Sequence, residues 1–234
     1  MSISSIGIIG GGQLGSMLAT AAKKLNIKTV IYSDDPNAPA QNFCDLFYYG
    51  KYEDKNKINE FLSNVDLVTF EFENIPFETL STINQNTKVL PKPKINKIVQ
   101  NRLKEKDFLN KNNIRTTQYA SIKNEKDLKS NINLIPGILK TCTLGYDGKG
   151  QYKIENIERL ESINLDFNNE YILEKIVNLK KEISVIISRF GHQKYEIYEP
   201  IENVHEDQIL KHSKIPAEIS NDVLNKSIDW AKLI

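Results

Sequence analysis

Residues 140–154 read KTCTLGYDGKGQYKI and set three glycines, with Lys140 and Lys149, between stretches of extended character. Lys140 follows the apolar run LIPGIL, so its ammonium is delivered from a strand end toward GYDGKGQ. A fixed cation there can pair with nucleotide phosphates, while Gly145, Gly148 and Gly150 leave the backbone pliable and its amides accessible. Pliability suits phosphoryl transfer, because a lid must admit substrate and then exclude water. The plain alternative is a hairpin whose Asp147-Gly148 pair supplies the turn.

A second glycine cluster lies near the start of the chain. Gly10, Gly12 and Gly15 satisfy G-x-G-x-x-G after the β-branched run ISSIGII and at the head of a helical pattern, where a backbone can approach an anion. Asp34 or Asp35 falls near the end of the next strand, where a dinucleotide site would hold a ribose. On these residues alone a nicotinamide-dependent oxidoreductase stays open, and so do glycines serving close packing only. FEFENIP (70–76) sits where a parallel strand should end, the edge at which such sheets bind ligands. Glu71 and Glu73 share a face if the strand runs on, and Glu73 with Asn74 would then lie near the glycine turn. The blander reading is a solvated strand end followed by a helix cap.

Farther along, YILEKIV (171–177) presents Glu174 and Lys175 just before a break. An adenine can sit in such a place, with strand-end backbone groups at its edge and a carboxylate reaching its amine or the ribose. KEISVIIS puts Glu182 on another strand, and EPIENVHED puts His205 beyond a third. Singly these are ordinary surface groups. Neither a metal-ligand spacing nor a nucleophile triad is present.

The elements that must position these groups come in two styles. QLGSMLATAAKKL has helical spacing through Leu14, Met17, Leu18, Ala21 and Leu25, KTVIYS and DLVTFEF read as strands around the helical DKNKINEFL, and TKVLPKP reads as a last strand. This alternation predicts an α/β fold with a parallel, Rossmann-like sheet over residues 1–93. A lysine-rich amphipathic stretch, 93–113, bridges to the second half as one or two helices. From residue 117 the strands IPGILK, GQYKI, EYILEKIV, KEISVIISR and KYEIYEP crowd together, which predicts an antiparallel α+β region over 94–234, with a lid subdomain at about 115–177. NDVLNKSIDWAKLI closes the chain as a helix.

Composition narrows the classes. With 234 residues the chain buries a real core without disulfides or structural metals. Lysine plus arginine (31) nearly balance aspartate plus glutamate (30), so no global field draws it to nucleic acid or an acidic membrane, and any anion site must be local. The two cysteines, Cys44 and Cys142, make no disulfide framework. A start without signal-peptide character, and no apolar run of spanning length, point to a cytoplasmic protein.

In this order, IGIIGGGQLGSML, FEFENIP, RLKEKDFL, KTCTLGYDGKGQ and EPIENVHED resemble the 5-(carboxyamino)imidazole ribonucleotide synthases of purine biosynthesis, which are ATP-grasp ligases. The resemblance runs across nearly the whole chain and implies a pre-ATP-grasp domain followed by an incomplete ATP-grasp region. It implies ATP-dependent carboxylation of aminoimidazole ribonucleotide with bicarbonate through carboxyphosphate, with ATP and Mg2+ as cofactors and a homodimer when complete. Nucleotide positions fall on Arg102, Lys140, Gly145, Tyr146, Asp147, Gly148, Lys149, Gly150, Gln151, Glu174, Lys175, Ile176, Val177, Glu182 and His205. Gln13, Leu14 and Glu73 match ribonucleotide contacts, and Tyr146 and Asp147 the lid pair beside the reacting amine, with Lys140 on the phosphates. The family pattern K-T-R-T-G-G-Y-D-G is altered at Cys142 and Leu144, which bears on lid closure. The family's magnesium ligands come from a further portion, so the expectation is a chain with little turnover alone. Within the same class, formate-dependent purine transformylase is a close alternative; outside it stands a non-catalytic nucleotide-binding module.

Overall fold

A computed structural model describes residues 3–145, 150–191, 193–206 and 209–234. The chain divides into two units, residues 1–100 and 101–234.

In the first unit, β1 (Ser5–Ile9), β2 (Lys28–Ser33), β3 (Leu46–Tyr49) and β4 (Leu67–Phe70) form one parallel sheet in the order β3-β2-β1-β4. Alternation along the strands buries both faces. Ile9, Val30, Tyr32 and Val68 pack with Phe61 of α2 (Lys55–Leu62) and Leu80 of α3 (Phe77–Ile83). Ile8 and Ile31 pack on the opposite side with Ala19 of α1 (Gln13–Lys24) and with Ala40. This is the helix-covered parallel sheet that the alternation predicts.

Two local differences have local causes. The helical spacing of α1 holds, but its buried residues are Gly15 and Ala19, while Leu14, Met17, Leu18 and Leu25 are exposed. Small residues let α1 approach the sheet, which turns the larger stripe outward. TKVLPKP is not a strand; Val89 is fully buried but makes only an isolated parallel bridge to Val68, because prolines 91 and 93 prevent a continuing ladder.

The unit's N-terminal edge is tied by a charge. Asp66 accepts hydrogen bonds from Ser4 N (2.9 Å), Ser4 Oγ (2.8 Å) and Ser5 N (3.0 Å). These donors hold its carboxyl below the ordinary 3.8, at about 2. A depressed folded-state value means stability that is present above the unfolded value and lost as pH falls through the folded one. Asp66→Asn is therefore expected to flatten the drop in urea midpoint between pH of about 4 and about 2; a drop identical to that of the unsubstituted protein contradicts this.

The bridge resolves into α4 (Pro93–Val99) and, opening the second unit, α5 (Arg102–Lys111), whose N-cap Asn101 accepts from Leu103 N and Lys104 N. β5 (Tyr119–Ile122), β6 (Gly137–Thr141), β7 (Gln151–Ile154) and β8 (Tyr171–Lys175) form an antiparallel sheet in the order β5-β8-β6-β7, with the short helices α6 (Glu125–Ser130) and α7 (Ile157–Glu161) between strands. Leu139, Ile154, Tyr171 and Leu173 build the core of one face with Leu128 and Leu160. KEISVIISR is two strands rather than one. β9 (Glu182–Ser184) pairs with β12 (Ile201–Glu206), and β10 (Ile187–Gly191) pairs with β11 (Lys194–Ile197). The chain leaves one sheet for the other at Val185 and Ile186. His205 lies within β12, not beyond a strand, because β13 (Ile209–Lys214) extends the pairing past it; α8 (Asn221–Leu233) follows.

Candidate nucleotide and ribonucleotide sites

In the first unit the glycine turn is built around a carboxylate of the chain itself. β4 ends at Phe70, so Glu71 leaves the strand and turns toward the head of α1. Gly12 N donates to Glu71 Oε1 at 2.6 Å, and Gly15 N donates to Oε2. A Cβ at Gly10 would lie 2.4 Å from Glu71 Cγ, at Gly12 2.9 Å from Oε1 and at Gly15 2.7 Å from Oε2, and Gly10 has φ +101. All three motif glycines therefore make room for Glu71. The positive helix end that would attract a phosphate already holds an anion.

Glu73 does not share that position. It is exposed, with Asn74 Nδ2 donating to its Oε1 at 3.2 Å, and its carbonyl accepts from Gln100 Nε2 at 2.7 Å. β4 stops at Phe70, so Glu71 is the carboxylate that enters the turn, and Glu73, two residues on, stands exposed. Asn74 does not cap α3, whose N-cap is Pro76. Gln13 and Leu14 are exposed at the first turn of α1. Asp34 is exposed just past β2, where it faces the Tyr52 hydroxyl, and burial with that charge pushes the Tyr52 phenol up.

In the second unit Lys140 lies near the end of β6 as expected, in register with Gln151 on β7 and Ile172 on β8. Glu174 lies diagonally across on the same face, opposite Ile138 and Tyr119. Lys140 Nζ meets Glu174 Oε2 at 2.8 Å, and Lys106 Nζ, from α5, meets Oε1 at 3.2 Å. The carboxylate side chain is only 10% exposed.

Arg102, one turn before Lys106, fastens the stems of the glycine loop. Its guanidinium donates from Nη1 to Thr141 O at 2.8 Å and from Nη2 to Gly145 O at 2.7 Å, and its backbone N donates to Cys142 O at 2.9 Å. On the far stem Thr141 N donates to Gly150 O at 2.9 Å, and a Cβ at Gly150 (φ +69) would meet Thr141 Oγ1 at 2.7 Å. By pairing, then, β6 and β7 are a hairpin whose stem Arg102 fastens, and the Asp147-Gly148 pair of the plain hairpin reading lies outside the described residues. Tyr146, Asp147, Gly148 and Lys149 lie outside the described residues. Leu144 occupies the left-handed region (φ 57), a conformation that costs a non-glycine residue about 1 kcal/mol. Cys142 is buried, and burial above all pushes its thiol up to about 11, so it is not a reactive thiol.

At the end of β8, Lys175 N donates to Gln118 O and Ile176 N to Pro136 O, while Val177 is exposed beyond the strand. Glu182 and His205 pair at 3.3 Å between β9 and β12. Lys106 carries no motif of its own; the Arg-x-x-x-Lys spacing that puts it on the face of Arg102 is the signal that would have found it. Among the described residues no group of three or more His, Cys, Asp or Glu suits a metal ion, and no helix is long and apolar enough to cross a membrane.

Residues 107–234 match the ATP-grasp domain, and residues 3–100 match the ribonucleotide synthetase preATP-grasp domain. The chain belongs to the ATP-grasp family. Its ATP-grasp region carries the Lys140 and Glu174 pair. An N5-carboxyaminoimidazole ribonucleotide synthase of Brucella melitensis is 37% identical over 222 residues, covering 93% of this ATP-grasp chain and 61% of that protein. The crystal structure of an N5-carboxyaminoimidazole ribonucleotide synthetase in complex with ADP superposes with TM-score 0.93 at 34% identity, over 98% of this chain and 62% of that one. A synthase of Aspergillus clavatus in complex with ADP and 5-aminoimidazole ribonucleotide shares the fold, with TM-score 0.83 at 24% identity, over 98% and 61% of the two chains. The ATP-grasp chain thus spans about three-fifths of the length of these relatives.

Proposed function

We propose that this chain belongs to an ADP-forming carbon-nitrogen ligase that carboxylates 5-aminoimidazole ribonucleotide with bicarbonate in purine biosynthesis, and that it handles nucleotide through its second unit and ribonucleotide through its first. The observation that carries the reading is Glu71 seated in the glycine turn. A dinucleotide would need that helix end for its pyrophosphate, so the nicotinamide reading loses its phosphate site. Phosphates then fall to Lys140, on the sheet face beside the glycine loop.

In this reading a bicarbonate oxygen attacks the γ-phosphorus of ATP and ADP leaves; the ribonucleotide amine then attacks the carboxyphosphate carbon, phosphate departs and the amine loses a proton. Lys140 spreads phosphate charge, and Arg102 sets the stems of the loop that keeps the unstable intermediate dry. Ile176 O and Val177 meet the adenine edge, with Glu174, Glu182 and His205 around the nucleoside. Gln13, Leu14 and Glu73 meet the ribonucleotide, and Tyr146 with Asp147 the reacting amine. Holding both reactants raises their effective concentration. Magnesium, a cytoplasmic location and a homodimer belong to this proposal through the resemblance; no described cluster of side chains fits a resident metal ion, so no step is assigned to one.

Calorimetric titration with aminoimidazole ribonucleotide and with ADP, alongside ADP release with ribonucleotide and bicarbonate supplied singly and together, tests the proposal. Binding of both ligands, and any ADP release requiring both co-substrates, is the expected result. A chain that binds ADP yet ignores the ribonucleotide contradicts it.

A further inference from the structure

Glu174 offers one negative charge to two ammonium groups. Lys140 and Lys106 are 21% and 18% exposed and take separate oxygens of the same carboxylate, so a surplus positive charge is held mostly out of water. Glu105, next to Lys106 on α5, is exposed to solvent. A surplus cation beside a glycine loop suits an arriving polyanion. Yet Lys140 cannot serve phosphates without loosening its hold on Glu174. The carboxylate cannot follow, because β6 and β8 are locked in register from Gly137–Lys175 to Thr141–Tyr171. A carboxylate left alone at this depth is strongly disfavoured.

We propose that Lys106 is a positioning residue of the nucleotide site: it keeps Glu174 paired while Lys140 turns to the nucleotide phosphates. Its placement suits the task. Lys106 comes from α5 rather than from the sheet, binds the other oxygen, and stands 5.8 Å from the Tyr119 ring centroid, which confines its ammonium to that face. The proposal rests on the nucleotide reading given above.

The test is ADP binding by calorimetry on the full chain carrying Lys106→Met, Lys106→Arg, Glu174→Gln or Lys106→Met with Glu174→Gln, each checked for folding by thermal unfolding. Lys106→Met is expected to weaken ADP binding about tenfold or more, and Lys106→Arg less than about threefold, because the charge and not the shape is at work. On the Glu174→Gln background, where no carboxylate needs a counter-cation, the effect of Lys106→Met should shrink below about threefold. If Glu174→Gln binds too weakly to measure, the contrast between methionine and arginine decides alone. A lysine that merely pins α5 to the sheet lowers thermal stability and leaves ADP affinity alone, and that result overturns the proposal, as does an equal loss on both backgrounds. Failure of the unsubstituted chain to bind ADP overturns the nucleotide reading itself, and the role of Lys106 with it.

Discussion

Glu71→Ala is expected to destabilise the first unit by about 3 kcal/mol, because two charge-assisted hydrogen bonds at a helix N-terminus vanish together and each is worth roughly 1.5–3 kcal/mol before relaxation. For a unit of this size that is a fall of more than about 10 °C in the midpoint of thermal unfolding. The donors at Gly12 N and Gly15 N are left facing a gap where the carboxylate was. An anion should therefore refill it, and millimolar inorganic phosphate should recover part of the loss in Glu71→Ala while barely moving the unsubstituted protein. Glu71→Gln keeps the shape but sets an amide N–H against one of the two donors, so it should fall between the two. A loss under about 0.5 kcal/mol, with no response to phosphate, would show that the glycines pack for their own sake.

The second large effect is expected at Lys140. Lys140→Met removes the ammonium proposed for the phosphates and should weaken ADP binding about a hundredfold, the equivalent of a single charge-assisted contact of roughly 2–3 kcal/mol. Stability should change less than affinity, because Lys106 remains on Glu174. Lys140→Arg keeps the charge in a wider, planar head and should bind ADP with intermediate strength. Calorimetric titration of the three proteins checks the order, and an affinity indifferent to residue 140 contradicts the assignment.

Which parts of the molecule were legible in the sequence depended on how local their cause is. Strand, turn and helix at residues 5–24 follow from β-branched residues, three glycines and helical spacing within a short stretch, and the parallel sheet followed from the same pattern repeated. The placement of Lys140 near the end of β6 and Glu174 on β8 was likewise readable, because each ends a clear apolar run. Their direct pairing was not, since register between β6 and β8 is set by tertiary packing. Glu71 and Glu73 show the same limit: one residue of strand length decides which carboxylate meets the glycines, and strand ends are the least local feature of a sheet. β3 carried too little periodicity in four residues to stand out beside its neighbours. The outward stripe of α1 was hidden for another reason: helical spacing reports which residues share a face, not whether that face or the small-residue face meets the sheet. Lys106 was lost among the many lysines of the bridge, where no single one carries compositional weight.

The central claim is that nucleotide phosphates belong to the Lys140 face and that the glycine turn is closed to them by Glu71. Backbone amide shifts followed by nuclear magnetic resonance during an ADP titration test it directly. The account predicts saturable changes at residues 138–141, 151 and 172–177, with residues 10–15 unmoved. Saturable changes confined to residues 10–15, with the Lys140 and Glu174 strands silent, would contradict it.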